Sequence, residues 1–265
     1  MTEKEYRAHP AVSRSQLFKL RESPEKFRYY EDNPEEPTAA LIFGQFLHAM
    51  VLQPDTIPQQ FAAAPSVDRR TRDGKAQWAA FETAAEGRTV VTFEMAITAK
   101  EMQQKLESCE FAKKLLSGEK EVPYFWTDEL TGEECKCRAD CITNINGLDI
   151  IVDLKTAENA DTDTFMRHAI KYGYDLQAAM YSEGVRKCTD KECAFVFIVI
   201  EKKPPYAVNI LQADKAFITH GVDLFRELLG IYHDCKQTGN WYGYLGKHNI
   251  INSLELPAYL AKEIE

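Results

Sequence analysis

The pattern of apolar residues predicts an α/β chain in which helices flank a group of strands. Residues 38–52 are apolar almost all round, which is typical of a buried helix. Residues 194–201 form a continuous apolar run of the kind seen in strands buried on both faces. An amphipathic pattern over residues 213–236 predicts a long final helix.

Shorter patterns predict the remaining elements. A helix is expected to begin at an N-cap at Ser13, and residues 54–90 are expected to be rich in loops. Strands at residues 122–128, 133–143 and 148–155 form an antiparallel meander, and a strand at 206–211 pairs with the apolar strand. The other predicted helices span residues 75–85, 94–108, 110–116, 161–170 and 174–185.

Two acidic residues are predicted to meet in the hairpin at the end of this meander. Asn146-Gly147 favours a two-residue type I′ turn, which needs positive φ at both positions. Counting back from the turn places Asp140 opposite Asp153, with Cβ atoms about 4.5–5.5 Å apart. A divalent cation would relieve the repulsion between the carboxylates, since Mg²⁺ takes oxygen ligands. Acids on a solvent face, or acids separated by a bulge, are the alternative interpretation.

Composition indicates an ordinary globular protein, with 45% hydrophobic and 28% charged residues among 265. The net charge of −9 disfavours a nonspecific nucleic-acid coat protein, but not an enzyme with a local basic groove. Neither a membrane span nor a signal peptide is recognisable, so we expect a cytoplasmic protein without membrane association. We predict one domain over residues 1–265, with an N-terminal helical segment (1–37), a core (38–236) and a C-terminal tail (237–265).

The seven cysteines indicate reduced thiols rather than a disulfide framework, because their number is odd. Cys135, Cys137 and Cys141 share strand parity, so they are expected to line one face of the sheet together. A zinc or iron–sulfur site would need paired Cys-x-x-Cys motifs or a comparable fourth ligand nearby, and these are missing. Buried thiols that pack under the sheet are the favoured interpretation.

Further polar residues follow a definite order around the hairpin. Gly44 and His48 lie four residues apart on one face of the apolar helix, where Gly44 would allow a close backbone approach. A histidine in such a helix is more often a core residue than a ligand. Lys155 ends the last strand of the meander, and Gln177 and Tyr181 lie four apart on a later helix.

This order of motifs resembles the PD-(D/E)XK nuclease superfamily and, within it, the exonuclease VIII (RecE-type) group of phage and prophage recombination nucleases. The segments HPAVSRSQL, SPEKF, FGQFLHAMVLQP and YDLQAAMY also look like that group, and the likeness covers most of residues 9–185. The resemblance implies a central mixed β-sheet with an antiparallel meander, flanked by helices. It also implies degradation of linear double-stranded DNA from the 5′ end, which leaves 3′ single strands for recombination by annealing.

The resemblance implies partners and cofactors as well. The partners are linear double-stranded DNA, further copies of the chain in a ring-like homotetramer, and a RecT-type single-strand annealing protein in a bacterial host. The cofactor is Mg²⁺, one ion or two, for which Mn²⁺ can substitute, and no iron–sulfur cluster is expected.

Site residues follow from the same resemblance. His48, Asp140 and Asp153 are the implied metal ligands, together with the main-chain carbonyl of Leu154. In this group the histidine stands where other members of the superfamily have a helix glutamate. Lys155 is either a general base or an orienting cation. The implied catalytic set is Lys155, Asp153, Asp140, Gln177 and Tyr181.

Two segments supply candidate contacts to the DNA backbone or to its 5′-phosphate. The alternative interpretation, without a function, is that each segment is a solvated surface. The candidates are Ser13, Ser15, Lys26 and Arg28 near the start, and Arg69, Arg70 and Arg72 in the densest basic cluster.

Two other functions remain compatible with the motifs. A RecB- or Cas4-like nuclease of other polarity, or an endonuclease, shares the core motif. Members with an iron–sulfur cluster need a cysteine before the helix motif, and here the first is Cys109. A catalytically inactive DNA-binding or assembly protein of the same fold is the second alternative, although every expected ligand and Lys155 are present.

Overall fold

The computed structural model describes residues 1, 3–248, 250, 251, 253 and 254, and these residues form eleven α-helices and eight β-strands. None of these helices is long and apolar enough to cross a membrane. The helices are α1 (Glu3–Ala8), α2 (Arg14–Leu20), α3 (Pro24–Asp32), α4 (Ala39–Leu52), α5 (Ile57–Gln60), α6 (Arg72–Ala84), α7 (Phe93–Ser108), α8 (Glu110–Leu115), α9 (Thr162–Lys171), α10 (Tyr174–Thr189) and α11 (Lys215–Thr238). The strands are β1 (Val12–Ser13), β2 (Phe61–Ala63), β3 (Thr89–Val91), β4 (Glu119–Thr127), β5 (Glu134–Ile145), β6 (Leu148–Ala157), β7 (Ala194–Glu201) and β8 (Val208–Gln212).

A six-stranded mixed sheet forms the centre of the fold. Its order is β1-β5-β6-β7-β8, and β4 also pairs with β5. The pairs β4–β5, β5–β6 and β7–β8 are antiparallel, whereas β1–β5 and β6–β7 are parallel. Helices flank this sheet, so the predicted fold class, a mixed α/β sheet with an antiparallel meander, is confirmed.

Alternation along the central strands separates two helical layers. Val152 and Leu154 of β6 pack in a core with α4, α7 and α8, which we call the α4 side. Ile151, the residue before Val152, packs with α9 and α10 on the opposite face, which we call the α10 side. A further core on the α10 side joins Leu17 of α2 to Phe225 of α11 and to the start of β5.

Residues 54–90 differ most from the prediction of a loop-rich segment. Beside the expected helix, now bounded as α6, strands β2 and β3 form a small parallel sheet in which Phe61 pairs with Thr89. Strands of three residues show too little alternation to be recognised in the sequence. Their partners also lie far apart along the chain, so only the folded structure reveals the pairing.

The prediction that Cys135, Cys137 and Cys141 are buried thiols is confirmed, but the prediction that they line one face of the sheet together is wrong. Cys135, Cys137 and Cys141 are buried free thiols, and burial raises the pKa of Cys135 to about 12. However, Cys135 and Cys137 pack on the α10 side, whereas Cys141 packs on the α4 side. The physical reason is that the alternation of β5 reverses between Ala139, on the α10 side, and Cys141.

The predicted tail lies partly within the described residues and packs on the N-terminal segment. Trp241 stacks on Phe27 of α3 with ring centroids 5.3 Å apart, and the N–H of Glu25 donates to the carbonyl of Tyr242 at 3.1 Å. Residues 249, 252 and 255–265 of this tail lie outside the described residues.

Candidate metal centre and active site

The β5–β6 hairpin forms around the predicted turn. Asn146 and Gly147 have φ values of 55° and 88°, the positive values that a type I′ turn requires. The ladder keeps the predicted register from the turn to the pair Cys141–Val152. The sequence therefore predicts correctly which residues of the two strands lie side by side.

Asp140 and Asp153 occupy the next position along this register, where the ladder has ended. Instead of a backbone pair, Asp140 Oδ2 accepts a hydrogen bond from the N–H of Leu154 at 2.8 Å. The pKa of Asp140 is raised, first by burial and second by the negative charge of Asp153, while the charges of His48 and Lys155 act in the opposite direction. The two acids are therefore close enough for their charges to interact, although they do not form a ladder pair.

Helix α4 brings His48 to Asp140. The hydroxyl of Thr38 caps the helix by accepting from the N–H of Leu41, and the apolar side of the helix is buried in the α4-side core. His48 remains 28% exposed, with Nδ1 3.5 Å from Asp140 Oδ2. The expected close backbone approach at Gly44 is wrong, because a Cβ there would meet no described atom within 4 Å. The helix surface beside His48 is open instead.

Asp153 lies on β6, and its side chain contacts α10. Its side chain is only 2% exposed, and Gln177 of α10 donates to Oδ1. The ammonium of Lys155 forms an ion pair with Oδ2 at 2.5 Å. The Lys155 ammonium also lies 4.6 Å from the ring centroid of Tyr174. Asp153, Lys155 and Gln177 are thus brought together as predicted, and their roles stay predictions.

Tyr181 and Leu154 lie beside this group. Burial raises the pKa of Tyr181 well above its ordinary value, and the ring packs near Phe195 of β7 with centroids 6.4 Å apart. The Leu154 side chain is fully buried on the α4 side, and its N–H contacts Asp140. A metal-binding role for the Leu154 carbonyl remains a prediction.

Glu121 is a site residue that sequence reasoning missed. Strand β4 pairs Lys120 with Cys141 and Val122 with Ala139, which places Glu121 across from Asp140. One ligand atom each of His48, Glu121 and Asp140 lies within 4.8 Å of the other two. The register of β4 on β5 was needed to find Glu121, and the loop over residues 128–133 does not determine that register from sequence.

Arg14 is the second residue that was missed. Its Nε donates to the carbonyl of Gly173 at 3.2 Å, and its guanidinium carbon lies 5.7 Å from the ring centroid of Tyr174. Burial lowers the pKa of Arg14, and the nearby negative charge of Asp153 is among the groups that oppose this shift. Arg14 therefore connects α2 to the start of α10, close to Tyr174 and Asp153 of the site.

The donor atoms of the site suit a divalent cation. Carboxylate oxygens are the preferred ligands of Mg²⁺ and Mn²⁺, and imidazole nitrogen binds many divalent metals. Asp153 Oδ2 faces the Lys155 ammonium at 2.5 Å, and the lone pairs of this carboxylate that Lys155 does not use could bind an ion. The side chains with ligand atoms close enough to hold such an ion are His48, Glu121 and Asp140, and Asp153 lies on the next strand.

The predicted N-terminal DNA contacts make local interactions. Ser13 Oγ lies 2.9 Å from Gln16 Oε1 and 3.2 Å from Ser15 Oγ at the start of α2. Lys26 and Arg28 form exposed ion pairs with acids four residues away, at 2.8 and 3.0 Å. These contacts agree with the surface interpretation, and contact with DNA stays a prediction.

The second basic segment lies at the start of α6. Arg69, Arg70 and Arg72 are all exposed, and the Arg69 guanidinium carbon lies 4.1 Å from the ring centroid of Trp78. The N–H of Arg70 donates to Asp68 Oδ1 at 2.9 Å, so the segment is held by local contacts. The segment is a separate basic and aromatic surface.

Comparisons with known proteins agree with this fold. Residues 13–253 match a family model described as a PDDEXK-like domain of unknown function (DUF3799). The crystal structure of a protein named "Putative exonuclease" from Eubacterium rectale matches with a TM-score of 0.65 at 18% identity, covering 99% of this chain and 97% of that chain. This match shows a shared fold.

A second solved structure, named SSO0001, is 18% identical and covers 71% of this chain and 85% of that chain, but its TM-score of 0.33 is too low to support an argument. No curated protein matches the sequence.

Proposed function

The chain belongs to the PDDEXK-like domain family (DUF3799), and from this premise we propose that it is a Mg²⁺-dependent exodeoxyribonuclease that degrades linear double-stranded DNA from the 5′ end. The observation that supports a nuclease most directly is the convergence of His48, Glu121 and Asp140 beside the Asp153–Lys155 pair. The 5′→3′ polarity comes from the resemblance to RecE-type nucleases.

The proposed metal site uses acids from neighbouring strands and an imidazole from α4. Mg²⁺, or Mn²⁺ in its place, supplies a bound water of lowered pKa and neutralises phosphate charge when it is bound. Asp140, Asp153 and His48 would hold the ion. The surface of α4 at Gly44, where a Cβ would meet no described atom within 4 Å, is the face on which we place the DNA strand beside His48.

Lys155 acts in this proposal as an orienting cation. Its ammonium is placed between the Asp153 carboxylate and the Tyr174 ring, and both groups attract a positive charge. From this position it can orient the attacking water and stabilise charge that develops on the phosphate. Gln177 is a positioning residue, since its amide fixes the carboxylate of Asp153.

The proposed substrate requires a basic surface on a chain whose net charge is −9. We therefore place DNA along confined basic segments, of which Arg69, Arg70 and Arg72 form the densest. A homotetrameric ring around the DNA would keep the enzyme on its substrate. A RecT-type annealing protein that takes the 3′ single strand completes the proposed role in recombination.

Digestion of labelled DNA tests this function. Linear duplex carrying a label at either the 5′ or the 3′ end is incubated with Mg²⁺ beside a closed circle. We expect early release of the 5′ label, an intact circle and no digestion with EDTA. Asp153→Asn should abolish digestion while the protein remains folded, and Asp149→Asn, on the same strand, should retain it.

Other results would replace the proposal. Cutting of the circle would indicate an endonuclease, and early release of the 3′ label would indicate the opposite polarity. A wild-type protein that binds DNA without digesting it would indicate a binding or assembly protein. Full activity of Asp153→Asn would overturn the assignment of the site.

A further inference from the structure

Three acidic residues form a row across three neighbouring strands. Glu121 of β4 lies across from Asp140 of β5, and Asp140 lies next to Asp153 of β6 in the hairpin register. The side chains of Glu121 and Asp140 are only 12% and 13% exposed. Neighbouring carboxylates that are largely buried are unfavourable unless cations compensate them. At the two ends of the row Arg138 pairs with Glu121 and Lys155 with Asp153, whereas Asp140 in the middle has the N–H of Leu154 and, at 3.5 Å, the imidazole of His48.

The regular geometry of β4 and β5 is interrupted where Glu121 lies across from Asp140. Glu121 has a φ of 54°, in the left-handed region, while the pairs Lys120–Cys141 and Val122–Ala139 on either side keep their register. The alternation of β5 reverses at the same position. The consequence is that a Glu121 carboxylate oxygen lies within 4.8 Å of the ligand atoms of His48 and Asp140.

These separations suit ligands of one small divalent ion. Octahedral Mg²⁺ has metal–oxygen distances of about 2.0–2.1 Å, so its ligands lie about 3–4 Å from one another. The three ligand atoms fall within 4.8 Å, a spread that small side-chain movements can close. His48 supplies nitrogen from outside the sheet, so the group is more than a surface patch of acids. Asp153, whose Oδ2 pairs with the Lys155 ammonium, lies on the next strand of the row.

Arg138 holds Glu121 from the opposite direction. Its Nε lies 2.6 Å from Glu121 Oε2, and its guanidinium carbon lies 4.9 Å from the ring centroid of Tyr6. A carboxylate has two oxygens and about four lone-pair positions, so one oxygen can stay with Arg138 while the other binds an ion. The pairing with Arg138 is therefore compatible with metal binding.

We propose that Glu121 is a metal ligand and forms, with His48 and Asp140, a divalent-cation site in which Arg138 is a positioning residue. The inference deepens the proposed function, and it rests on that function for the role of the ion in DNA hydrolysis. It adds a β4 ligand to the residues that the sequence motifs indicate. The ligand class is a hard divalent cation such as Mg²⁺ or Mn²⁺.

Calorimetric titration of the full chain with Mn²⁺, without DNA, tests the ligand assignment. Glu121→Gln keeps the size of the side chain and removes its charge, and we expect at least tenfold weaker Mn²⁺ binding. Glu119→Gln is the matched control, because Glu119 is an exposed acid two residues away on β4. It should keep the wild-type affinity within about twofold. Equal Mn²⁺ affinity in wild type and Glu121→Gln overturns the inference.

Arg138→Met separates metal ligation from a purely structural ion pair. If Glu121 binds the ion, this variant should lose less than threefold in Mn²⁺ affinity. An equal loss of Mn²⁺ affinity in Arg138→Met and Glu121→Gln would mean that Glu121 acts only as the ion-pair partner of Arg138. This result would contradict the proposal. Circular dichroism checks the fold. Should Glu121→Gln fail to fold, Glu121→Asp replaces it, since its shorter side chain should also lose at least tenfold in affinity.

The two proposals fail in distinguishable ways. A wild-type protein that binds Mn²⁺ through Glu121 and leaves DNA intact overturns the nuclease function alone. Mg²⁺-dependent digestion together with unchanged Mn²⁺ binding by Glu121→Gln overturns the role of Glu121 alone. A wild-type protein that binds no Mn²⁺ and digests no DNA overturns both.

Discussion

At the residue scale, each acid of the site is compensated by a specific cationic or hydrogen-bonding neighbour. Burial and the charge of Asp153 raise the pKa of Asp140, and the N–H of Leu154 partly offsets this effect. Asp153 itself depends on Gln177 and Lys155. A buried charge without such partners is costly, so these contacts keep the acids in place until a cation binds.

His48→Ala tests whether the histidine is a ligand or a packing residue. Because His48 is partly exposed and faces Asp140, its removal should leave the fold intact and weaken Mg²⁺ or Mn²⁺ binding at least tenfold. Calorimetric metal titration provides the measurement. His168→Ala on α9 is the control and should bind metal like wild type. An unchanged titration of His48→Ala would return His48 to a packing role.

At the element scale, the turn between α9 and α10 positions one half of the site. Gly173 has a φ of 66°, and a Cβ there would lie 2.4 Å from the ring of Phe18 on α2. The Gly173 carbonyl also accepts from Arg14. The turn therefore packs against α2 and sets the start of α10, the helix that supplies Tyr174 and Gln177 to the site.

Two glycine substitutions should change stability in opposite directions. Gly173→Ala combines a positive φ with a clash against Phe18, and we expect a loss of more than about 1 kcal/mol in the free energy of unfolding. Gly44→Ala lies inside α4 with open space around it, and it should add about 0.5–1 kcal/mol. Urea unfolding followed by circular dichroism measures both. A neutral Gly173→Ala would contradict the tight packing of this turn.

At the scale of the whole molecule, Arg226 links the last helix to the sheet and to α10. It pairs with Asp128 after β4 and with Glu183 of α10, whose side chains are only 3% and 10% exposed. Burial raises the pKa of Asp128, but hydrogen bonds from Thr131 and the charge of Arg226 outweigh burial, so the pKa is lowered from 3.8. The folded state therefore favours ionised Asp128.

Arg226→Met should destabilise the protein by about 3 kcal/mol near neutral pH, because it leaves two buried carboxylates without their cation. Lys247→Met, which removes an exposed pair with Asp234, should cost less than about 1 kcal/mol. A lowered folded pKa contributes stability above the unfolded value of 3.8, and that contribution is lost as pH falls through the folded pKa. The difference in the free energy of unfolding between wild type and Arg226→Met should therefore become smaller below about pH 4. Thermal unfolding across pH measures it, and a constant difference would contradict the linkage.

Local chemistry in the sequence determines the elements that hold most of the site. Asn146-Gly147 specifies its turn because few residue pairs tolerate two positive φ values, and strand alternation then sets which residues of β5 and β6 are neighbours. Thr38 and the apolar run after it specify α4, and so the helix that presents His48. These features depend on residues close together in the chain, which is why the sequence alone predicts them.

Only the tertiary structure decided the features that depend on distant segments. The register of β4 on β5 brings Glu121 to Asp140, and the reversal of alternation beside Asp140 sends Cys141 to the α4 side. The packing of α2 on the α9–α10 turn brings Arg14 behind the site. Sequence patterns contain no strong signal for these arrangements, because interstrand register and close packing follow from the balance of all contacts in the folded chain.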